Sequence, residues 1–301
     1  MKIADRGRAL RSMVMCLAGM ATGSGTLDLL AALAPARADT ILWANDARGS
    51  PGPTIEEWDV NVGTDASALV TSFLAPNPAA QGQAGQGIAV VGSNIYYSVF
   101  SSGSIFLTNP TGANLGVAFN TGLPGISSVA SDGQFLYLAS TGSDNNVYKY
   151  SFGGSLLATI PLVPSERPVA ISRVGLEVVG TNFVANQQQD IGPYDKFASN
   201  GTLITADFIG SHSDFGKVGI AFDGTDYFVF DDEAQPSQFV VYNSSGAFVE
   251  RVTLGACPGP NVICDIRDIS AVVPAVPEPA TLALLAIALF SLGIFGRRKT
   301  A

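Results

Sequence analysis

The chain has 301 residues, 47% of them hydrophobic, and its 25 acidic against 16 basic side chains give a net charge of −9. Both ends read as export segments, and the span 39–276 between them keeps 8 basic and 22 acidic residues, a net charge of −14. Such a surface repels nucleic-acid phosphates and anionic lipid, which excludes a nucleic-acid partner.

In chain order, Lys2, Arg6, Arg8 and Arg11 come first, followed by the apolar stretch VMCLAGMA (14–21). A second apolar run, LDLLAALAPARA (27–38), ends in the small-x-small pattern Ala36-Arg37-Ala38. Residues 1–38 therefore read as a signal peptide cut after Ala38. Cys16 lacks the small preceding residue that a lipidated cysteine needs, since Met13-Val14-Met15 stands before it.

The next span, 39–274, is long enough for one large all-β domain. ILWAND (41–46) and IEEWDV (55–60) resemble the later strands of a repeat unit that lacks its opening strand. Four segments then share one pattern: GIAVVGSNIYYSVF (87–100), GISSVASDGQFLYLAS (125–140), PVAISRVGLEVVG (168–180) and GIAFDGTDYFVFDD (219–232). Each opens on a small residue or proline and an apolar pair, turns, and enters an aromatic or β-branched strand. A second half follows each: GSIFLTNPTGANLG (103–116), NVYKYSFGGSLL (146–157), PYDKFASNGTLI (193–204) and QFVVYNSSGAFVE (238–250). Tyr148, Lys149 and Tyr150 alternate as a half-buried strand does. Asp132-Gly133, Asp223-Gly224, Gly153-Gly154, Asn200-Gly201 and Ser245-Gly246 supply hairpin turns.

The spacing, about 40–50 residues, is that of propeller blades. DISAVV (268–273) resembles an opening strand with nothing behind it. Paired with ILWAND it would complete a blade built from both termini and close a ring. The expectation is an all-β, five-bladed propeller, or six-bladed if degenerate strands lie between the third and fourth units. A β-sandwich or solenoid is the competing architecture. The Gly-Ile-x-x-Asp-Gly-x-x-Tyr pattern distantly resembles the NHL and streptogramin-lyase-like propellers over residues 87–250.

Candidate chemistry is sparse. Asp223, Asp226, Asp231, Asp232 and Glu233 form the densest acidic group, but the alternating donors of a calcium loop are missing, and a solvated loop is the simpler reading. His212 sits in Ser211-His212-Ser213-Asp214, but triad members come from separate segments, and no nucleophile elbow occurs. Glu57, Glu166 and Glu177 are scattered. No catalytic residue, metal site or cofactor is expected. Cys257 and Cys264 flank a six-residue loop, and after export they should form a local disulfide rather than a redox or metal pair.

The chain closes on Val276-Pro277-Glu278-Pro279, an apolar run through Gly296, and Arg297-Arg298-Lys299. The uncharged stretch 280–296 is near the short end of a membrane-spanning helix. The basic end favours the cytoplasmic side, leaving the domain outside. Each proline lacks an N–H and holds its predecessor extended, so the motif should be an accessible handle. Residues 275–301 resemble the PEP-CTERM sorting signal of Gram-negative bacteria. That resemblance implies recognition by exosortase, a membrane-embedded cysteine peptidase, processing near Pro277–Pro279, and delivery to the outer surface, often alongside secreted exopolysaccharide. The resulting expectation is an exported, non-enzymatic propeller that acts as a surface or matrix scaffold or binding module, with exopolysaccharide or another envelope component as the candidate ligand. A propeller lyase or lactonase, and a membrane-anchored sensor ectodomain, are the alternatives.

Overall fold

A computed structural model of the chain describes residues 39–47, 52–141, 145–163, 175–186, 193–210, 217–231, 234, 236–255 and 264–272. Twenty strands form five four-stranded antiparallel sheets. Blade 2 holds β4 (Gly85–Val91), β5 (Asn94–Val99), β6 (Ser104–Thr108) and β7 (Asn114–Asn120). Blade 3 holds β8 (Ile126–Ser131), β9 (Leu136–Ser140), β10 (Asn146–Tyr150) and β11 (Leu156–Pro161). Blade 4 holds β12 (Leu176–Val179), β13 (Asn182–Asn186), β14 (Tyr194–Phe197) and β15 (Leu203–Ile209). Blade 5 holds β16 (Lys217–Phe222), β17 (Asp226–Asp231), β18 (Gln238–Asn243) and β19 (Phe248–Thr253).

Blade 1 is the composite that the sequence implies. It contains β1 (Thr40–Asp46), β2 (Thr54–Asn61), β3 (Ala66–Leu74) and, on the inner side of β1, β20 (Ile266–Ala271). Leu42 opposes Ala271, Trp43 opposes Ser270 and Asn45 opposes Asp268, so the last strand of the domain completes the first sheet. Strand β3 is one more than the sequence reading names. Its alternating pattern of exposed and half-buried residues marks it as an outer strand with little hydrophobic signal.

Burial falls from the axis outward. Strands β8 and β17 are buried throughout, whereas β11 and β3 alternate between exposed and half-buried. The apolar core divides into five clusters, one at each seam between neighbouring blades. At the seam of blades 5 and 1, Trp58 meets Phe239 edge-on, with ring centroids 6.3 Å apart. A single four-stranded sheet could not cover both its faces, so the ring is the unit that folds.

The hairpins between third and fourth strands are built alike in blades 2 to 5. Gly112, Gly154, Gly201 and Gly246 hold φ of 77°, 85°, 83° and 80°. Each glycine donates its N–H to the carbonyl three residues earlier, at 2.8–2.9 Å. A side chain there would also strike the outer strand of the preceding blade, at Phe73, Phe119, Pro161 and Phe208 respectively. The turn glycines are thus seam contacts as well as turn formers. In blade 1 the equivalent hairpin is polar. Asp65 accepts from Thr253 N–H at 2.9 Å, Ser67 Oγ donates to Thr253 carbonyl at 2.9 Å, and Gly63 N–H donates to Glu250.

One unit departs from its sequence reading. PVAISRVGLEVVG (168–180) reads as opening strand, turn and second strand. Instead Leu176–Val179 is the opening strand, and the turn is Gly180-Thr181. Residues 164–174 lie outside the described residues.

Candidate functional site

The inner strands β20, β4, β8, β12 and β16 surround the axis, where a propeller's ligand site would lie. Asp268, Gly87, Ser128, Gly175 and Gly219 hold corresponding places at the head of these strands. Each is followed by a buried aliphatic residue: Ile269, Ile88, Val129, Leu176 or Ile220. Three of the five positions are glycine because the strands approach closely. A Cβ at Gly87 would lie 2.6 Å from Val129 N, and one at Gly219 would lie 2.7 Å from Asp268 Cα. Gly219 also has φ +67°. Gly219→Ala is therefore expected to destabilise the domain by about 2–4 kcal/mol, from strain and overpacking together. Chemical denaturation of the purified protein measures this.

Asp268 fills the space that the glycines leave. It is fully buried. Its Oδ2 accepts from Ile88 N–H at 3.2 Å, Val129 N–H at 3.2 Å and the Ser128 hydroxyl at 2.9 Å. Its Oδ1 accepts from its own neighbour Ile269 N–H at 3.1 Å. Ser128 Oγ in turn accepts from Leu176 N–H at 3.1 Å. One carboxyl and one hydroxyl thus tie blades 1, 2, 3 and 4 together at the axis. Burial pushes the Asp268 carboxyl well above the usual range, against the opposing effect of these donors.

Two residues further along, the stitching repeats. Ser270 Oγ accepts from Val90 N–H at 3.0 Å, joining blades 1 and 2. The buried Glu177 carboxyl accepts from Val178 N–H at 2.9 Å and from the Phe222 backbone, joining blades 4 and 5. Burial raises the Glu177 pKa to about 8, so it is largely protonated near neutral pH. Asn45, also buried, donates to the carbonyls of Gly87 at 3.0 Å and Ser98 at 2.9 Å, linking blade 1 to two strands of blade 2. These groups hold backbone to backbone. They form a buried, hydrogen-bonded hub at the axis.

Other sequence candidates fall elsewhere. Asp223 lies in the β16–β17 turn, where its Oδ1 accepts from Thr225 and Asp226 N–H at 2.8 Å each. Asp226 and Asp231 are buried on β17, so the acidic group does not form a single solvated loop. Asp232 and Glu233 lie outside the described residues. Among the described residues, no group of three or more His, Cys, Asp or Glu side chains is placed to hold a metal. Glu57 is half-buried on β2, in a different blade from Glu177. His212 and Glu166 lie outside the described residues. Cys264 is fully buried and disulfide-bonded, while Cys257 is outside them. The sequence reading missed the hub. Its one available signal was an acidic residue, Asp268, where the other opening strands carry glycine or serine.

The terminal sites also lie outside the described residues: Ala36 and Ala38, Val276 to Pro279, and Arg297 to Lys299. No helix among the described residues is long and apolar enough to cross a membrane. The described chain nevertheless fixes where both terminal segments leave the ring. Thr40 begins β1 and Val272 follows β20, on neighbouring strands at one face of the disc. Thr40 Oγ1 donates to Asp223 Oδ2 at 2.7 Å, which places that end beside the inner-hairpin turn of blade 5.

Residues 275–299 match the family described as PEP-CTERM protein-sorting motif. No curated protein matches the chain. Among solved structures, the chain is similar at 11% identity to one in a nidogen/laminin complex, with TM-score 0.48, covering 78% of this chain and 99% of that one. A Bacteroides caccae protein of unknown function is similar at 15% identity and TM-score 0.48, covering 75% of this chain and 77% of that one. Myxococcus xanthus glutaminyl cyclase is similar at 14% identity and TM-score 0.47, covering 66% and 88%. These scores all fall below 0.5, and nothing about activity or partners follows from them. The chain is a five-bladed β-propeller bearing a PEP-CTERM sorting motif, which implies an exported protein handled by exosortase.

Proposed function

We propose that the propeller is a non-enzymatic scaffold or binding module of the cell surface or extracellular matrix, released to its place by processing of residues 275–301, and that exopolysaccharide is its ligand. The hub is the observation that supports this reading. Asp268, Ser128, Ser270 and Glu177 at the axis are engaged with backbone N–H groups of neighbouring blades. A lyase or lactonase needs a base or acid directed at substrate. The acidic surface and the sorting motif fit a protein that remains in the envelope or matrix.

The test is to mix the processed protein with exopolysaccharide from cells that secrete it. Co-sedimentation with an unchanged polymer length is expected. Shortening of the polymer, with new unsaturated or reducing ends, would replace this reading with the lyase. Failure to co-sediment would remove the polysaccharide as ligand. Deleting residues 275–301 is expected to abolish processing and surface delivery, as judged by mass spectrometry of the C-terminus and by fractionation.

A further inference from the structure

We infer that the face of the propeller carrying the short hairpin turns is the surface that abuts the membrane-embedded sorting peptidase during processing. This rests on the reading of residues 275–299 as an exosortase substrate and adds an orientation to it.

The inner strands run parallel to one another around the axis. Asp268 of β20 meets Ile88 of β4, and two residues on Ser270 meets Val90. The end of β20 at Ala271 therefore lies on the same face as the first-hairpin turns of the other blades: residues 92–93, 132–135, 180–181 and 223–225. The hairpins between third and fourth strands return to this face as well. Since β20 is an inner strand, the chain leaves near the centre of the face and not at its rim.

The matched motif begins at residue 275, four residues past Ala271. A fully extended chain of that length reaches roughly 14 Å. A peptidase that engages the motif while β20 is in place must come up against this face. The face suits such an approach, because its turns are short and rich in Gly, Ser, Thr and Asn. The opposite face carries longer connections, such as residues 75–84 between β3 and β4.

Charge favours a protein partner over the lipid beside it. The turns on this face include Asp65, Asp132 and Asp223, and Asp39 stands next to them, while none of the turn residues is Lys, Arg or His. Among the described residues, the basic side chains nearest the turns are two lysines, fewer than the acidic ones: Lys149 Nζ lies 3.9 Å from the centre of the Phe135 ring, and Lys196 Nζ lies 4.8 Å from that of Phe208. An acidic face is repelled by an anionic bilayer surface.

The experiment places a small folded domain into the full-length chain on either face and follows C-terminal processing in the cell. One insertion goes between Gly180 and Thr181, a second between Gly133 and Gln134, and the control between Gln81 and Gly82 on the opposite face. Gly180 and Gly82 both border open space. Each is made with the native spacing and with a linker of about 20 flexible residues after Val272, long enough to span a small domain. Processing is expected to fall at least tenfold for both hairpin-face insertions at native spacing, to recover with the linker, and to be unaffected by the control insertion. Equal processing on both faces would overturn the orientation, as would failure of the linker to restore processing at both hairpin sites. If the chain without insertions is itself not processed, the sorting reading fails.

Discussion

Alanine in place of Asp268 is expected to destabilise the propeller by about 3–5 kcal/mol. The side chain accepts from three backbone N–H groups and one hydroxyl, all in a fully buried setting. Removing it strands these donors without water, and each stranded donor costs about 1–3 kcal/mol before relaxation. It also leaves a void where the inner strands converge. The loss should spread beyond one seam, because the Ser128 hydroxyl that donates to Asp268 also accepts from Leu176 N–H of blade 4. The Asp268→Asn variant retains one acceptor oxygen and should fall between wild type and Asp268→Ala. Urea denaturation of the processed protein reads both variants. A change for Asp268→Ala of under about 1 kcal/mol would mean that the hub does not hold the ring together.

Stability should also fall as pH rises, and Glu177→Gln should remove the part of that slope that Glu177 contributes. The folded pKa of Glu177 is about 8, against 4.5 for the free side chain. Between those values the unfolded chain releases a proton that the folded chain retains, so rising pH favours unfolding. At about 1.4 kcal/mol per pKa unit, the total loss of stability reaches roughly 5 kcal/mol, present in full above about pH 8 and absent below about pH 4.5. Asp268 is shifted in the same direction and adds to the slope. Glutamine retains an oxygen for the Val178 and Phe222 N–H groups and does not ionise. The variant should match wild type near pH 4.5 and exceed it by several kcal/mol near pH 8. Unfolding free energies at about pH 4.5, 6 and 8 measure this. A wild-type stability that is flat across the range would show that Glu177 ionises in the folded protein without penalty.

The ring was legible because its signals are local and repeat. The turn glycines of Gly153-Gly154, Asn200-Gly201 and Ser245-Gly246 recur at blade spacing, and DISAVV carries the pattern of an opening strand with no partner behind it. The third unit was misplaced for a physical reason. Gly175-Leu176-Glu177-Val178 corresponds to Gly87-Ile88-Ala89-Val90, but a glutamate stands where blades 2, 3 and 5 bury alanine and blade 1 buries serine. Charged residues are ordinarily solvent-facing, so the stretch reads as a second strand and not an innermost one. The same rule hid the hub. Asp268 becomes informative only when other chain segments bring N–H and O–H groups to it, and those contacts lie 139 to 180 residues away in sequence for Ser128, Val129 and Ile88. The sorting motif is the opposite case: it is a short linear signal, readable without any fold at all.

The composite blade also imposes an order in time on export. A chain exported from its N-terminus delivers β1 first and β20 last. Until β20 emerges, β1 has no inner neighbour, and the N–H groups of Ile88 and Val129 lack their carboxylate. The ring can lock only once nearly the whole domain has crossed. The sorting motif at residues 275–299 follows immediately in sequence. Closure of the ring therefore coincides with arrival of the sorting motif, and an open ring marks a domain whose last strand has not yet emerged.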